Sequence, residues 1–191
     1  MFMPDHYTVI EDFFSALSLS QYRKYILSTL RAANSSRYWK KEDPGSLLYF
    51  QKKMEDLIDA VHLLVKKDKN KKSKKSKVLI APEVIDQQVI DPGLYAIKHF
   101  GHTQWKTFPR NLSKKEFLNP YLVFERFFRY RSQKEWHKDL KEIIFYALSP
   151  HNCADDCVDF EFLKINQLLQ KLVEAAHLIL VREINPDQNE A

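Results

Sequence analysis

Two stretches of this chain each carry a carboxylate and a histidine three residues apart: Asp59-Ala-Val-His62 and Glu174-Ala-Ala-His177. On a helix that spacing sets both side chains on one face, and oxygen with imidazole nitrogen is a donor set that suits a transition metal. Glu11 and Glu125 stand at equivalent points of two other segments, so Glu11, His62, Glu125 and His177 form one candidate metal set. A second candidate is His151-Asn-Cys153-Ala-Asp-Asp-Cys157, where thiolate, imidazole and carboxylate donors crowd into seven residues. Structural zinc normally takes two ligand pairs. No second cysteine pair exists, and His99-Phe-Gly-His102 is a weak substitute, so an acidic helix-entry loop is the favoured reading. Arg131 and His137, separated by five residues at a helix start, are a third candidate. The fourth is the run Lys66 to Lys77, with eight lysines and one aspartate. Lys71, Lys72, Lys74 and Lys75 at its centre would draw nucleic-acid phosphates by salt-sensitive, sequence-independent attraction.

Two of these patterns resemble known families. A Glu from each of two helices with a carboxylate-x-x-His from each of two others resembles, in kind and chain order, the ligand set of ferritin-like di-iron proteins, which implies a metal-binding helical-bundle enzyme. Arg131 followed by His137 is similar to the ribonuclease motif of the all-helical HEPN domains, which implies a nuclease.

Each pattern also has a plainer origin. A helical wheel centred on Met54, Leu57, Ile58, Val61 and Val65 puts His62 at the edge of the apolar stripe and Asp59 well outside it. His177 and Glu174 fall likewise, whereas ligands for a bundle-centre metal should point inward with the apolar residues. The lysine run lacks the arginines and aromatics of a dedicated nucleic-acid surface, and is also the composition of a solvated, self-repelling loop. No Gly-rich phosphate loop, nucleophile elbow or HExxH sequence occurs, so no cofactor is expected and the balance leans away from an enzyme.

The elements that must carry these residues come in duplicate. Tyr7-Thr-Val9-Ile10-Glu11-Asp-Phe13-Phe14 returns as Tyr121-Leu-Val123-Phe124-Glu125-Arg-Phe127-Phe128, and residues 7–35 match 121–149 at nine of 29 positions. Ser18-Leu-Ser-Gln21 and Ser132-Gln-Lys-Glu135 are both capping boxes, a Ser at the helix start answered by Gln or Glu three residues on. Behind them run apolar stripes at helical spacing, Tyr22, Ile26, Leu30 and Ala33, then Trp136, Leu140, Ile144 and Ala147. The match resumes one residue further out, with Leu57–Val65 aligned on Leu172–Leu180.

The pattern predicts an all-α protein of two homologous three-helix units, an internal duplication about an approximate two-fold axis. Unit 1 spans 1–67, a Lys-rich loop and irregular connecting segment 68–119, and unit 2 120–191, the two packing as one globular domain. Helices are expected at about 7–17, 19–33, 46–67, 120–131, 133–148 and 160–182, with a short strand or two at 78–80 and 84–90. The core should contain Phe13, Phe14, Ile26, Leu30, Leu57, Val61, Phe127, Phe128, Trp136, Leu140, Ile144, Leu172 and Ala176. His62–Val65 and His177–Val181 are apolar nearly all round, so Leu63 and Leu178 must be covered from a second side or serve self-association.

A formal charge of +5 suggests an acidic partner. Lys66 to Lys77 alone carries +7, however, and the rest of the chain is slightly acidic. No run approaches the 18 apolar residues of a membrane span. The N-terminal residues lack the form of a signal peptide, and two cysteines fit a cytoplasmic setting. The expected function is a non-catalytic, cytosolic helical interaction or scaffold protein with a protein partner or self-association, with nucleic-acid binding through the lysine run as the alternative and a metal enzyme or HEPN-like nuclease behind it.

Overall fold

Ser18 and Ser132 each begin a helix through a complete capping box. The Ser18 side chain accepts the Gln21 N–H, and Gln21 reaches back to the Ser18 N–H at 2.8 Å. Ser132 and Glu135 make the same exchange, with 2.6 Å from the Ser132 N–H to Glu135 Oε2. The computed structural model describes residues 5–35, 39–40, 43–70 (backbone only for 68–70), 108–151, 153 and 161–184. Those residues form seven α-helices and no strand: α1 (His6–Ala16), α2 (Leu19–Ala33), α3 (Pro44–Asn70), α4 (Lys114–Leu118), α5 (Tyr121–Tyr130), α6 (Gln133–Leu148) and α7 (Phe162–Ile179). A π-helical turn, Leu180–Ile184, closes α7.

α1 and α2 form one hairpin, α5 and α6 another, and each is fixed by the same device. Leu17 and Arg131 are extended residues that stop the first helix immediately before the capping serine. Across the first turn Phe13 stacks on Tyr22 at 3.8 Å and 10°, and the Tyr22 hydroxyl donates to the Phe13 carbonyl at 2.7 Å. Across the second, Phe127 stacks on Trp136 at 4.1 Å and 6°, and the indole N–H donates to the Phe127 carbonyl at 3.1 Å. A carbonyl freed by the end of one helix is thus bonded by an aromatic of the next, while the ring itself is buried.

The hairpins interleave. Most contacts of α2 are with α6 and α7, and those of α6 are with α2 and α3. α1 lies on α3 and on the π-helical turn, and α5 lies on α7 and α3. One main core results, and it contains twelve of the thirteen residues expected there, while Phe128 packs half-buried against it. Among the described residues no helix is long and apolar enough to cross a membrane.

The structure amends three of the expected boundaries. α3 begins at Pro44 rather than 46, because proline is well suited to a first helical position and Asp43 accepts both the Ser46 N–H (3.1 Å) and the Ser46 hydroxyl (2.6 Å). It also continues to Asn70, into the lysine run. The end of the connecting segment is not irregular: Ser113 and Glu116 form a third capping box and start α4. The suggested strands at 78–80 and 84–90 lie outside the described residues.

Candidate functional site

Glu174, which the wheel set outside the apolar stripe, is completely buried. The wheel considers one helix alone, whereas residues 108–113 cross over this face of α7. Glu174 Oε1 accepts from the Arg23 guanidinium of α2 and from Asn111 Nδ2 at 2.8 Å, and Oε2 accepts the N–H groups of Arg110 (3.1 Å) and Asn111 (2.8 Å). Four donors use the whole accepting capacity of a carboxylate. Arg23 also donates to the Phe108 carbonyl at 2.7 Å, so one ion pair ties α2, α7 and the connecting segment together.

The corresponding residue of α3, Asp59, is paired in the same sense but lies in the open. His137 Nε2 of α6 stands 2.7 Å from Asp59 Oδ1, and Gln133 Nε2 donates to the same oxygen at 2.7 Å. The Asp59 side chain remains 47% exposed. The histidines behave alike: His177 meets the edge of Phe14 at 5.1 Å, and His62 meets Phe128 at 4.9 Å. His177 is fully enclosed. Burial, with the nearby Arg23 charge, pulls its pKa down to about 3, and its Nδ1 has no hydrogen-bond partner.

The candidate metal residues therefore occupy different surroundings. Glu11 and Glu125 are exposed, His62 is half-buried and His177 is buried. Among the described residues no three His, Cys, Asp or Glu side chains are grouped so as to hold a metal ion. Arg131 places Nε 2.8 Å from Asp139 and lies over the Tyr130 ring, while His137 is held by Asp59, so the two are engaged by different carboxylates. Cys153 is buried with its N–H bonded to the Ala33 carbonyl, and His151 is exposed. Cys157, His99, His102, Lys71, Lys72, Lys74 and Lys75 lie outside the described residues.

Three features emerge that sequence reasoning passed over. Tyr7 and Tyr121, aligned by the repeat, converge on Glu183 of the π-helical turn, with hydroxyl to carboxylate distances of 3.1 Å and 2.9–3.0 Å. Burial raises both hydroxyl pKa values, so the tyrosines are donors. A cavity of about 370 Å³ opens between α4, α5 and α7, lined by Arg126, Arg129, Lys164 and Lys171 around Glu116. Glu116 is buried and paired with Arg126 and Lys171 at 2.7 Å each. Burial alone would raise its pKa, but the Lys171 ammonium and the Ser113 N–H and hydroxyl outweigh it and hold the value at about 2. The third feature is a groove of about 400 Å³ between α3 and α6, lined by Leu48, Gln51, Lys141, Ile144, Phe145, Leu148 and Ser149. Ser113-Lys-Lys-Glu116 was the one available signal for the cavity wall, being the same box that announced α2 and α6.

Compared with protein-family models, with curated proteins and with solved structures, the chain matches none.

Two outcomes are expected. Replacing Glu174 by Ala strands a buried guanidinium and should lower the unfolding free energy by about 3–5 kcal/mol, whereas Asp59→Ala, at an exposed pair, should cost about 1 kcal/mol or less. Urea denaturation reads both, and equal costs would mean that burial of the first pair carries no weight. Between pH 6.5 and about 3 the unfolded chain protonates the position-177 imidazole and the folded chain does not. Stability should therefore fall as pH drops through that window, by up to about 1.4 kcal/mol per pH unit. His177→Leu should flatten this slope by close to one proton, and an unchanged slope would assign the acid sensitivity elsewhere.

Proposed function

We propose that the protein is a non-catalytic helical interaction protein, built by duplication of a three-helix unit about an approximate two-fold axis, that pairs with a second copy of itself through the groove between α3 and α6. The duplication is supported by contacts that recur across the alignment. Arg23–Glu174 corresponds to His137–Asp59, Phe14–His177 to Phe128–His62, and Phe13–Tyr22 to Phe127–Trp136. The first two pairs join a helix of one unit to the third helix of the other, as a two-fold relation requires.

The observation that carries the self-pairing is the exposure of large apolar side chains at this groove: Phe145 at 64% and Leu48 at 52%. A protruding ring and an apolar trough on one face are the two halves of an isologous contact, in which Phe145 of each copy enters the groove of the other. Charge agrees with it. Lys141 has no carboxylate partner among the described residues, while α3 carries Glu55 near the groove, bonded only to Gln51 of its own helix (2.8 Å). The cytosolic setting expected from the cysteines belongs to the same proposal.

Sedimentation velocity on the full chain tests it. A concentration-dependent dimer with Kd on the order of micromolar is expected, and Leu48→Glu with Phe145→Glu should give a monomer of unchanged far-UV circular dichroism. A wild-type protein that stays monomeric at about a hundredfold higher concentration, or a double variant that still dimerises, would overturn the assignment.

The concentration of +7 within Lys66–Lys77 supports a second reading, binding of a nucleic acid through that run. Alanine at Lys71, Lys72, Lys74 and Lys75 should weaken binding to a single-stranded oligonucleotide and flatten its salt dependence by roughly 0.7 in log–log slope for each phosphate left without its lysine. Affinity and slope identical to wild type would dismiss the run as a binding element.

A further inference from the structure

The cavity between α4, α5 and α7 is lined by charges that the aligned positions of unit 1 do not share. Resting on the duplication proposed above, Asp12, Ser15, Tyr49 and Asp56 of unit 1 correspond to Arg126, Arg129, Lys164 and Lys171 of unit 2. Lys52 and Lys53 between them become Gln167 and Leu168. The six positions sum to zero in unit 1 and to +4 in unit 2. The unit 1 face also neutralises itself, Lys53 pairing with Asp12 at 2.6 Å and Lys52 with Asp56 at 2.7 Å.

In unit 2 the cations surround a concave site. Glu116, supplied by the connecting segment and itself only 1% exposed, grips Arg126 and Lys171 at 2.7 Å and so fixes two of the four at the wall. Arg129 and Lys164 line the same cavity with no carboxylate partner among the described residues. One buried carboxylate against four cations leaves an excess of +3 facing about 370 Å³, the size range of a small-molecule site rather than of an extended nucleic-acid track. Arginine forks match the paired oxygens of a phosphate, and lysine adds point charge.

From this geometry we infer that the cavity binds the phosphate group of a small phosphorylated molecule, with Arg129 and Lys164 as its principal contacts and Arg126 and Lys171 held beside them by Glu116. Such a site would make the second unit a ligand-responsive half of a protein whose first unit has no equivalent.

The test is a heteronuclear NMR titration of the full chain at constant ionic strength with inorganic phosphate, pyrophosphate and adenosine monophosphate, with sodium chloride and adenosine as controls. Saturable shifts confined to residues of α5 and α7 around the cavity are expected from all three phosphates and from neither control. Tighter binding of adenosine monophosphate than of inorganic phosphate would show that the rest of the molecule is also held, and the reverse order would make free phosphate the ligand. Arg129→Ala with Lys164→Ala should weaken binding at least tenfold while leaving circular dichroism and sedimentation unchanged. Absence of saturable shifts, equal shifts with chloride, or undiminished binding by the double variant would overturn the inference. A single-stranded oligonucleotide that displaces phosphate from these residues with far higher affinity would also overturn it, by making the cavity part of a nucleic-acid surface. The self-association at α3 and α6 is read by sedimentation and involves none of these residues, so either result can fail alone.

Discussion

Ten consecutive positions of α7 and its π-helical continuation, Leu172 to Val181, are buried. A helix with one apolar stripe needs a neighbour on one side, but a helix enclosed through nearly three full turns needs neighbours on all of them. α1, α2 and α5 cover three flanks. The fourth is closed by the end of the connecting segment, where Phe117 of α4 packs on the fully buried Leu178 and residues 108–111 lie against Glu174. Enclosure turns Glu174 from a surface carboxylate into a buried anion, which is tolerable only with its full complement of donors. Arg23 and the Arg110 and Asn111 amides are those donors, so the path of the connecting segment is tied to a single side chain of the helix it covers.

The same constraint explains why the two third helices differ. Leu63 of α3 corresponds to Leu178 of α7, yet it is 45% exposed, and Asp59 remains open where Glu174 is sealed. Nothing in the local sequences of the two helices requires this, since both read as apolar nearly all round. The difference comes from the connecting segment, which exists once and covers only one of them along 108–118. An enclosed ion pair that loses a member strands a charge in low dielectric, whereas the exposed pair is largely screened by water. Equivalent positions can thus carry very different energetic weight.

What was legible in the sequence was what local chemistry determines. The hairpins could be read because the serines that cap α2 and α6, and the aromatic residues on both sides of the turns, lie within about ten residues of one another. The apolar stripes identified the core for the same reason. Glu174 could not be read correctly, because its burial depends on residues more than sixty positions away that touch no part of the pattern on its own helix. The cavity was missed for a related reason: Arg126 and Lys171 are ordinary cations on two separate helices until Glu116 draws them together. α4 alone was legible and overlooked, since Ser113-Lys-Lys-Glu116 obeys the rule applied at Ser18 and Ser132.

The carboxylate-x-x-His pairs show how spacing can be meaningful without specifying chemistry. An i, i+3 pair puts both groups on one face of a helix, and that face can address a metal or another helix. Here Asp59 and His62 of α3 address His137 and Phe128 of the α5–α6 hairpin, and Glu174 and His177 of α7 address Arg23 and Phe14 of the α1–α2 hairpin. A polar residue and an aromatic-contacting residue one turn apart suit a helix that must lie across a hairpin, since the hairpin offers a polar side chain from its second helix and a ring from its first. The motif then follows from the packing of α3 and α7 across a hairpin each, and its occurrence on both helices needs no shared ligand.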